Sequence, residues 1–312
     1  MLSWISITRL GLVQMSLGAI VVLMTSTLNR LMIVEYTLPA ILPGFLVALH
    51  YGVQISRPNW GYRSDTGGSR TRWIIGGMVV LALGAILAAY ALSLFTSSFA
   101  VGLILSIIAY ALIGVGVGAS GTSLLALLAT ATHPRRRPAA ATITWLMMIF
   151  GIAVTAGVTG AIMDPFSVGR LMIIVLIVAG SAVALTCLAV MGIERHIAPA
   201  PTSERQASFM EGLQEVWSET DARNFTIFVF LSMTAYFMQE LILEPYAGLV
   251  FNFTPGQSTQ LSGAQNGGVF MGMLTVGILA TGFQVGNLRS WIVLGCAGSA
   301  ICLLYTSPSP RD

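Results

Sequence analysis

Eight apolar runs divide the chain, each close to the ~20 residues needed to cross the hydrocarbon core of a bilayer. They are Leu10–Leu28, Leu38–Ile55, Trp73–Leu94, Phe99–Ala129, Ala139–Met163, Leu171–Ile193, Asn224–Val250 and Gly263–Gly282, and a ninth opens at Trp291. The fourth is long enough to tilt or to project beyond the bilayer. The first run follows Arg9, exceeds the ~7–15 residues of a signal-peptide core and lacks a small-residue cleavage site, so it reads as a retained span. A chain of such runs must satisfy its backbone within each segment, and the pattern predicts an all-α membrane protein.

Composition agrees with the pattern. The chain is 55% hydrophobic and 9% charged, with a mean hydropathy of +0.83, which excludes a water-soluble globule. The formal charge of +3 is small and dispersed, leaving no electrostatic footprint for nucleic acid. Cys187, Cys296 and Cys302 lie far apart, so neither a disulfide framework nor a metal site is supported. Arginine placement orients the chain. With the N-terminus inside, Arg9, Arg57, Arg63, Arg70, Arg72, Arg135, Arg136, Arg137, Arg195, Arg205, Arg223 and Arg289 face the cytoplasm, and only Arg30 and Arg170 face out.

The longest polar stretch follows the sixth run. It opens with the linker Ala198–Ser208, and Ser208 with Glu211 forms a capping box. Phe209, Leu213, Val216 and Trp217 then share one helix face, which predicts an amphipathic helix on the membrane surface. The organisation expected is a six-helix half at 1–193, a cytoplasmic linker at 194–223 and the start of a second half at 224–301. Residues 302–312, CLLYTSPSPRD, interrupt a hydrophobic run. One reverse translation of them resembles a transposon-end sequencing adapter, so they are read as adapter read-through and the natural chain as longer.

The loop after the second run, G61-Y-R-S-D65-T-G-G68-S-R70-T-R72, resembles the GxxxDxxGxR loop motif of the major facilitator superfamily. Glycines permit a tight turn there, and Asp65 can pair with arginine or cap a helix, so Gly61, Asp65, Gly68, Arg70 and Arg72 form a candidate latch. Serine stands at position 69, where arginine is common. A narrower resemblance rests on L28-N-R-L-M-I-V-E35-Y-T-L-P39-A, V47-A-L-H50-Y and S56-R-P-N-W60-G-Y-R-S-D65. It also rests on Q239-E-L-I-L-E244-P-Y246-A-G248-L-V-F-N-F-T254-P-G256-Q-S-T-Q-L-S-G263. These segments resemble the PucC/LhaA family, the bacteriochlorophyll-delivery branch of that superfamily, with Pro245, Tyr246, Pro255 and Gly256 as family-motif positions. The resemblance implies a major facilitator fold, here truncated to about eight transmembrane helices plus the start of a ninth. It further implies assembly of light-harvesting antenna complexes in the inner membrane of a phototrophic bacterium, with bacteriochlorophyll as cargo rather than a tightly bound cofactor. Antenna polypeptides, the pigment and the lipid bilayer are the partners it implies.

Ionisable residues at membrane depth are functional candidates. At ~1.5 Å per residue from Asn224, Glu240 lies roughly 24 Å and Glu244 roughly 30 Å across. Their spacing puts them on one helix face, and with Arg30 and Glu35 they form a candidate charge cluster at the periplasmic side, where pairing of Arg30 with Glu240 or Glu244 would close that end. His50 is a candidate axial ligand to a chlorin magnesium; a histidine hydrogen-bonded between helices is the alternative. Glycines at 114, 116, 118, 121, 151, 157 and 160 read as close helix packing. With no nucleophile elbow, HExxH or P-loop, no catalytic residues and no enzyme activity are expected. Two further functions stay open: a secondary transporter of a small solute, proton-coupled or not, and a scaffold that gathers antenna subunits without moving a ligand.

Overall fold

The computed structural model describes residues 1–66, 69–194, 214, 217–283 and 285–306. Among them the regular structure is helical: α1 (Trp4–Glu35), α2 (Ile41–Val53), α3 (Arg57–Thr66), α4 (Arg70–Leu94), α5 (Phe99–Ala131), α6 (Arg137–Met163), α7 (Val168–Val190), α8 (Thr220–Phe251), α9 (Pro255–Gly277) and α10 (Leu288–Thr306). Six described helices, α1, α4, α5, α6, α7 and α8, are long and apolar enough to cross a membrane, and the chain is an all-α membrane protein. The second and eighth expected runs are helical but differ in kind. Apolar α2 has only 13 residues before a 3-10 turn leads into polar α3, and α9 opens with the polar string PGQSTQLSGAQNGG. The expected surface helix lies outside the described residues except for Gln214 and the exposed Trp217. Helix α10 continues through Thr306 into the stretch read as adapter.

Contacts divide the chain into two units, Met1–Gly267 and Gly268–Asp312. In the second unit, Asn287 caps α10 by accepting from the Ser290 amide at 2.8 Å, and the Trp291 indole donates to the Val285 carbonyl at 2.9 Å.

The first unit is held by close backbone approach, as expected where lipid supplies no hydrophobic drive between helices. Helices α4 and α5 cross at Gly77 and Gly116. A Cβ on Gly77 would lie 2.5 Å from the Ser120 amide nitrogen, and one on Gly116 would lie 2.5 Å from that of Leu81. Helix α1 runs against α6 and α7 and is not regular throughout. π-helical turns at Leu23–Thr27 and Leu31–Glu35 flank a single α-turn, Leu28–Arg30. The fully buried Tyr110 of α5 donates its hydroxyl to the Met24 carbonyl inside the first π-turn at 2.9 Å. Such turns release carbonyls and occur often at functional sites.

Two helix ends are completed by charged side chains from elsewhere in the chain. The start of α4 has no side-chain cap of its own. Glu194, beyond α7, accepts there from the Ser69 hydroxyl at 2.6 Å and from the Arg70 and Thr71 amides at 2.8 and 3.2 Å. Burial would raise the Glu194 pKa, but the hydrogen bonds from Ser69, Thr71 and Arg70 outweigh it and hold the carboxyl below its ordinary value. At the opposite helix polarity, the Arg9 guanidinium donates to the Leu188 and Met191 carbonyls at 3.2 and 2.5 Å, favourable at the C-terminus of α7.

Glu194→Ala should lower stability by about 1 kcal/mol, the usual worth of a helix cap, read as a lower melting temperature in detergent. Because the folded pKa is depressed, the stabilisation is complete above the ordinary glutamate value and is lost as pH falls below it. The difference between the parent and Glu194→Ala should therefore shrink on acidification.

Candidate functional site

The helix α1 segment T25-S-T-L-N-R30 is a polar run in an otherwise apolar span, and four of its side chains reach α8, α9 or the turn between them. Ser26 donates to Glu244 at 2.8 Å, and Thr27 lies 3.5 Å from the Thr259 hydroxyl, which in turn reaches Glu244 at 3.3 Å. The Ser262 hydroxyl is 3.3 Å from that of Ser26. Glu244 has 0% relative exposure. Its two oxygens are thus held by hydroxyls from α1 and α9, which meet each other beside it.

The Asn29 contact follows from the sequence of α8. Pro245 sits inside that helix, and proline brings no N–H to bond the carbonyl four residues back. That carbonyl belongs to Leu241, and the Asn29 amide donates to it at 2.8 Å. A family-motif proline and an asparagine 216 positions earlier in the numbering thus make one joint.

Arg30 is 1% exposed. Its ion pair is to Glu35 at 2.8 Å, and it donates to the Phe253 carbonyl at 2.7 Å. The structure therefore gives Arg30 a partner on its own helix, and Glu244 is satisfied by hydroxyls. Arg30 nevertheless lies against α8 on the Glu244 face. A Cβ on Gly248, one turn beyond Glu244, would stand 3.3 Å from the Arg30 Nε and 2.9 Å from Val34. Glycine at 248 gives the guanidinium its bed.

Pro255 and Gly256 open α9 where it meets α6. A Cβ on Gly256 would lie 2.6 Å from the Gly160 carbonyl and would collide with the Asp164 carboxylate. Asp164 accepts from the Thr254 hydroxyl at 2.5 Å and the Gly256 amide at 3.1 Å, completing the helix start. Tyr246 is half exposed and its ring meets that of Phe251 at 5.8 Å.

Beside this polar seam lies an apolar cleft of about 410 Å³ between α1, α2 and α8. Val47, Ala48, Phe230, Met233, Phe237 and Leu241 supply its apolar wall, and Thr25, Tyr51, Thr234 and Glu240 its polar groups. Glu240 thus faces the cleft, while Glu244, one turn on, faces the seam. Small-molecule sites have this size and this balance of apolar lining with a few polar groups.

His50 does not line the cleft; its neighbour Tyr51 does. The imidazole is 1% exposed, with Nε2 3.0 Å from the Gln54 amide nitrogen, and Arg57 donates to the other end of Gln54. Of the loop motif, Gly61 packs 3.5 Å (from a virtual Cβ) off Thr122, and Arg70 donates to the Ala126 carbonyl at 3.0 Å and to Thr130. Arg72 is exposed. The side chain of Asp65, and Gly68 altogether, lie outside the described residues. Residue-level reading missed Ser26, Thr27, Asn29, Thr259, Ser262, Asp164 and Glu194. The polar run 25–30 inside an apolar span was the signal for the first three.

Asn29→Ala should cost about 1–3 kcal/mol, because it strands the Leu241 carbonyl in the interior. Pro245→Ala restores an N–H to that carbonyl, so the double variant should be less destabilised than the sum of the two. A double-mutant cycle on melting temperature or denaturant midpoint measures the difference.

The model of the PUCC protein family matches residues 27–310. The bacteriochlorophyll synthase 44.5 kDa chain of Rhodobacter capsulatus is 64% identical over 303 residues, covering 97% of this chain and 71% of that relative. Protein PucC of Cereibacter sphaeroides is 29% identical over 291 residues, covering 88% of this chain and 63% of its own length. Protein PucC of Rhodobacter capsulatus is 28% identical over 273 residues, covering 81% and 58% respectively. The expectation that the chain is not an enzyme is overturned by the first of these, which at 64% identity bears the name of a synthase chain. A family match that takes in Thr27–Arg30 of α1, the Pro245 joint and the start of α9 assigns the chain plainly: it belongs to the PucC family.

Proposed function

We propose that this chain takes up bacteriochlorophyll in the cleft between α1, α2 and α8 and hands it to light-harvesting antenna polypeptides during their assembly. The observation that carries the reading is the cleft itself. It is a largely apolar space of about 410 Å³ with Thr25, Tyr51, Thr234 and Glu240 as its polar groups. Such a lining suits a large apolar ring system or its hydrocarbon tail, with a few groups to orient the polar edge. The pigment in the name of the 64% identical relative supplies the chemical class.

In this reading the protein sits in the inner membrane with its N-terminus in the cytoplasm, and residues 1–193 and 224–301 belong to two halves joined by the linker 194–223. Gly61, Asp65, Gly68, Arg70 and Arg72 form a latch on the cytoplasmic face. Arg30, Glu35, Glu240 and Glu244 stand toward the periplasmic side. His50, buried behind Tyr51, supports the cleft wall and becomes a pigment ligand only if α2 turns.

The name of the same relative favours a second reading, in which the chain works as part of a pigment-synthesising assembly. Filling the cleft separates the two. In a phototrophic host, Ala48→Trp and Met233→Trp in the full-length gene should lower antenna absorbance at least tenfold while finished bacteriochlorophyll is still made. Accumulation of a pigment precursor instead would support the synthase reading. Normal antenna levels with the cleft filled would contradict the delivery reading.

A further inference from the structure

The charges along the seam between α1 and α8 do not balance. From α1, Arg30 and Glu35 face the seam; from α8, Glu244 faces it, with Glu240 one turn back toward the cleft and Tyr51 of α2 across from Glu240. Helix α9 contributes hydroxyls, from Thr259 and Ser262, and Asp164 at the end of α6 is held by Thr254 and Gly256. Arg30 is already paired with Glu35, so an ionised Glu244 would be a second carboxylate facing a single guanidinium. At 0% exposure it would have only hydroxyl dipoles to replace water, and an uncompensated buried charge is costly. Binding a proton removes that charge.

The alternative charge state also has a place in the structure. Arg30 lies flat on Gly248, one helical turn from Glu244 on the same face, and its Nε is buried without a hydrogen-bond partner among the described residues. Its present partner Glu35 belongs to a π-turn at the end of α1, and the Glu35 side chain is 33% exposed, so water can take over that carboxylate when the guanidinium leaves. We propose that Glu244 is a proton-binding site whose charge is read by Arg30, which pairs with Glu35 when Glu244 is protonated and turns to Glu244 when it is ionised, so that the end of the α1–α8 seam responds to pH.

A cation other than the proton fits less well. Arg30 stands beside Glu244, and the remaining groups around it are neutral hydroxyls that already donate to the carboxylate. The inference does not depend on what fills the neighbouring cleft.

The test uses the purified chain in lipid nanodiscs, with its native cysteines Cys187, Cys296 and Cys302 replaced by alanine. Infrared difference spectra across a pH series should contain a carboxylic-acid carbonyl band that titrates. It should be lost in Glu244→Gln and kept in Glu240→Gln and Asp164→Asn. Spin labels at Thr37→Cys and Val250→Cys should report a distance that shifts with pH in the parent. That distance should lose its pH dependence in Glu244→Gln, resting at the low-pH value, and in Glu35→Gln, where Arg30 stays on Glu244. Should Glu244→Gln fail to fold, Glu244→Asp keeps the carboxyl and should move the titration midpoint of the band. A band that survives Glu244→Gln, a midpoint unmoved in Glu244→Asp, a parent distance blind to pH, or a shift that follows sodium rather than pH would each overturn the proposal.

Discussion

A guanidinium with 1% exposure, among helices that lipid cannot help to solvate, has to be met by protein groups, and meeting Arg30 organises the end of this bundle. It pairs with Glu35 on its own helix and takes the Phe253 carbonyl from the turn after α8. That turn needs Asn252 in the left-handed region, at φ 54°, to reverse the chain into α9. Gly248 is bare because the guanidinium lies on it. The same segment of α1 carries Ser26, Thr27 and Asn29 outward to α8 and α9, and the π-turns on either side of Leu28–Arg30 set which side chains face the seam. Polar contacts between membrane helices are individually modest. Here several converge on one strip of α8, so the strip works as a joint rather than as isolated bonds.

Carboxylates at helix starts do comparable work at the margins. Glu194 closes the start of α4 and Asp164 the start of α9, each from a different part of the chain. A helix start leaves N–H groups unpaired and carries partial positive charge, so an acid brought in by tertiary structure satisfies both needs at once. The Glu194 contact ties the stretch after α7 to α4, and Arg70, the first residue of α4, reaches on to α5. The loop motif is therefore embedded in a three-helix contact through its own Arg70 and through Glu194, which does not belong to the motif.

Much of this was legible in the sequence. The long apolar runs gave α1, α4, α5, α6, α7 and α8, because length and apolarity alone define a crossing helix. The motif segments gave the family. The acids of α8 were identifiable as costly residues at membrane depth, and their spacing placed them on one face. What sequence reading could not assign was partnership. Glu240 and Glu244 are one turn apart, yet one faces the cleft and the other the seam, since their surroundings come from α2 on one side and from α1 and α9 on the other. Arg30 took Glu35 because a π-turn brings that carboxylate back along its own helix, a local geometry that no residue pattern announces. The Asn29 joint required knowing that Pro245 lies opposite it. The cleft arises from the separation of three helices and has no linear signature at all.

The central claim is that the cleft beside this seam holds pigment. The most direct measurement is the near-infrared absorption spectrum of the full-length protein, purified in mild detergent from a phototrophic host. The account predicts a bacteriochlorophyll band at close to one pigment per protein. A colourless protein, purified intact from cells that make the pigment, would contradict it.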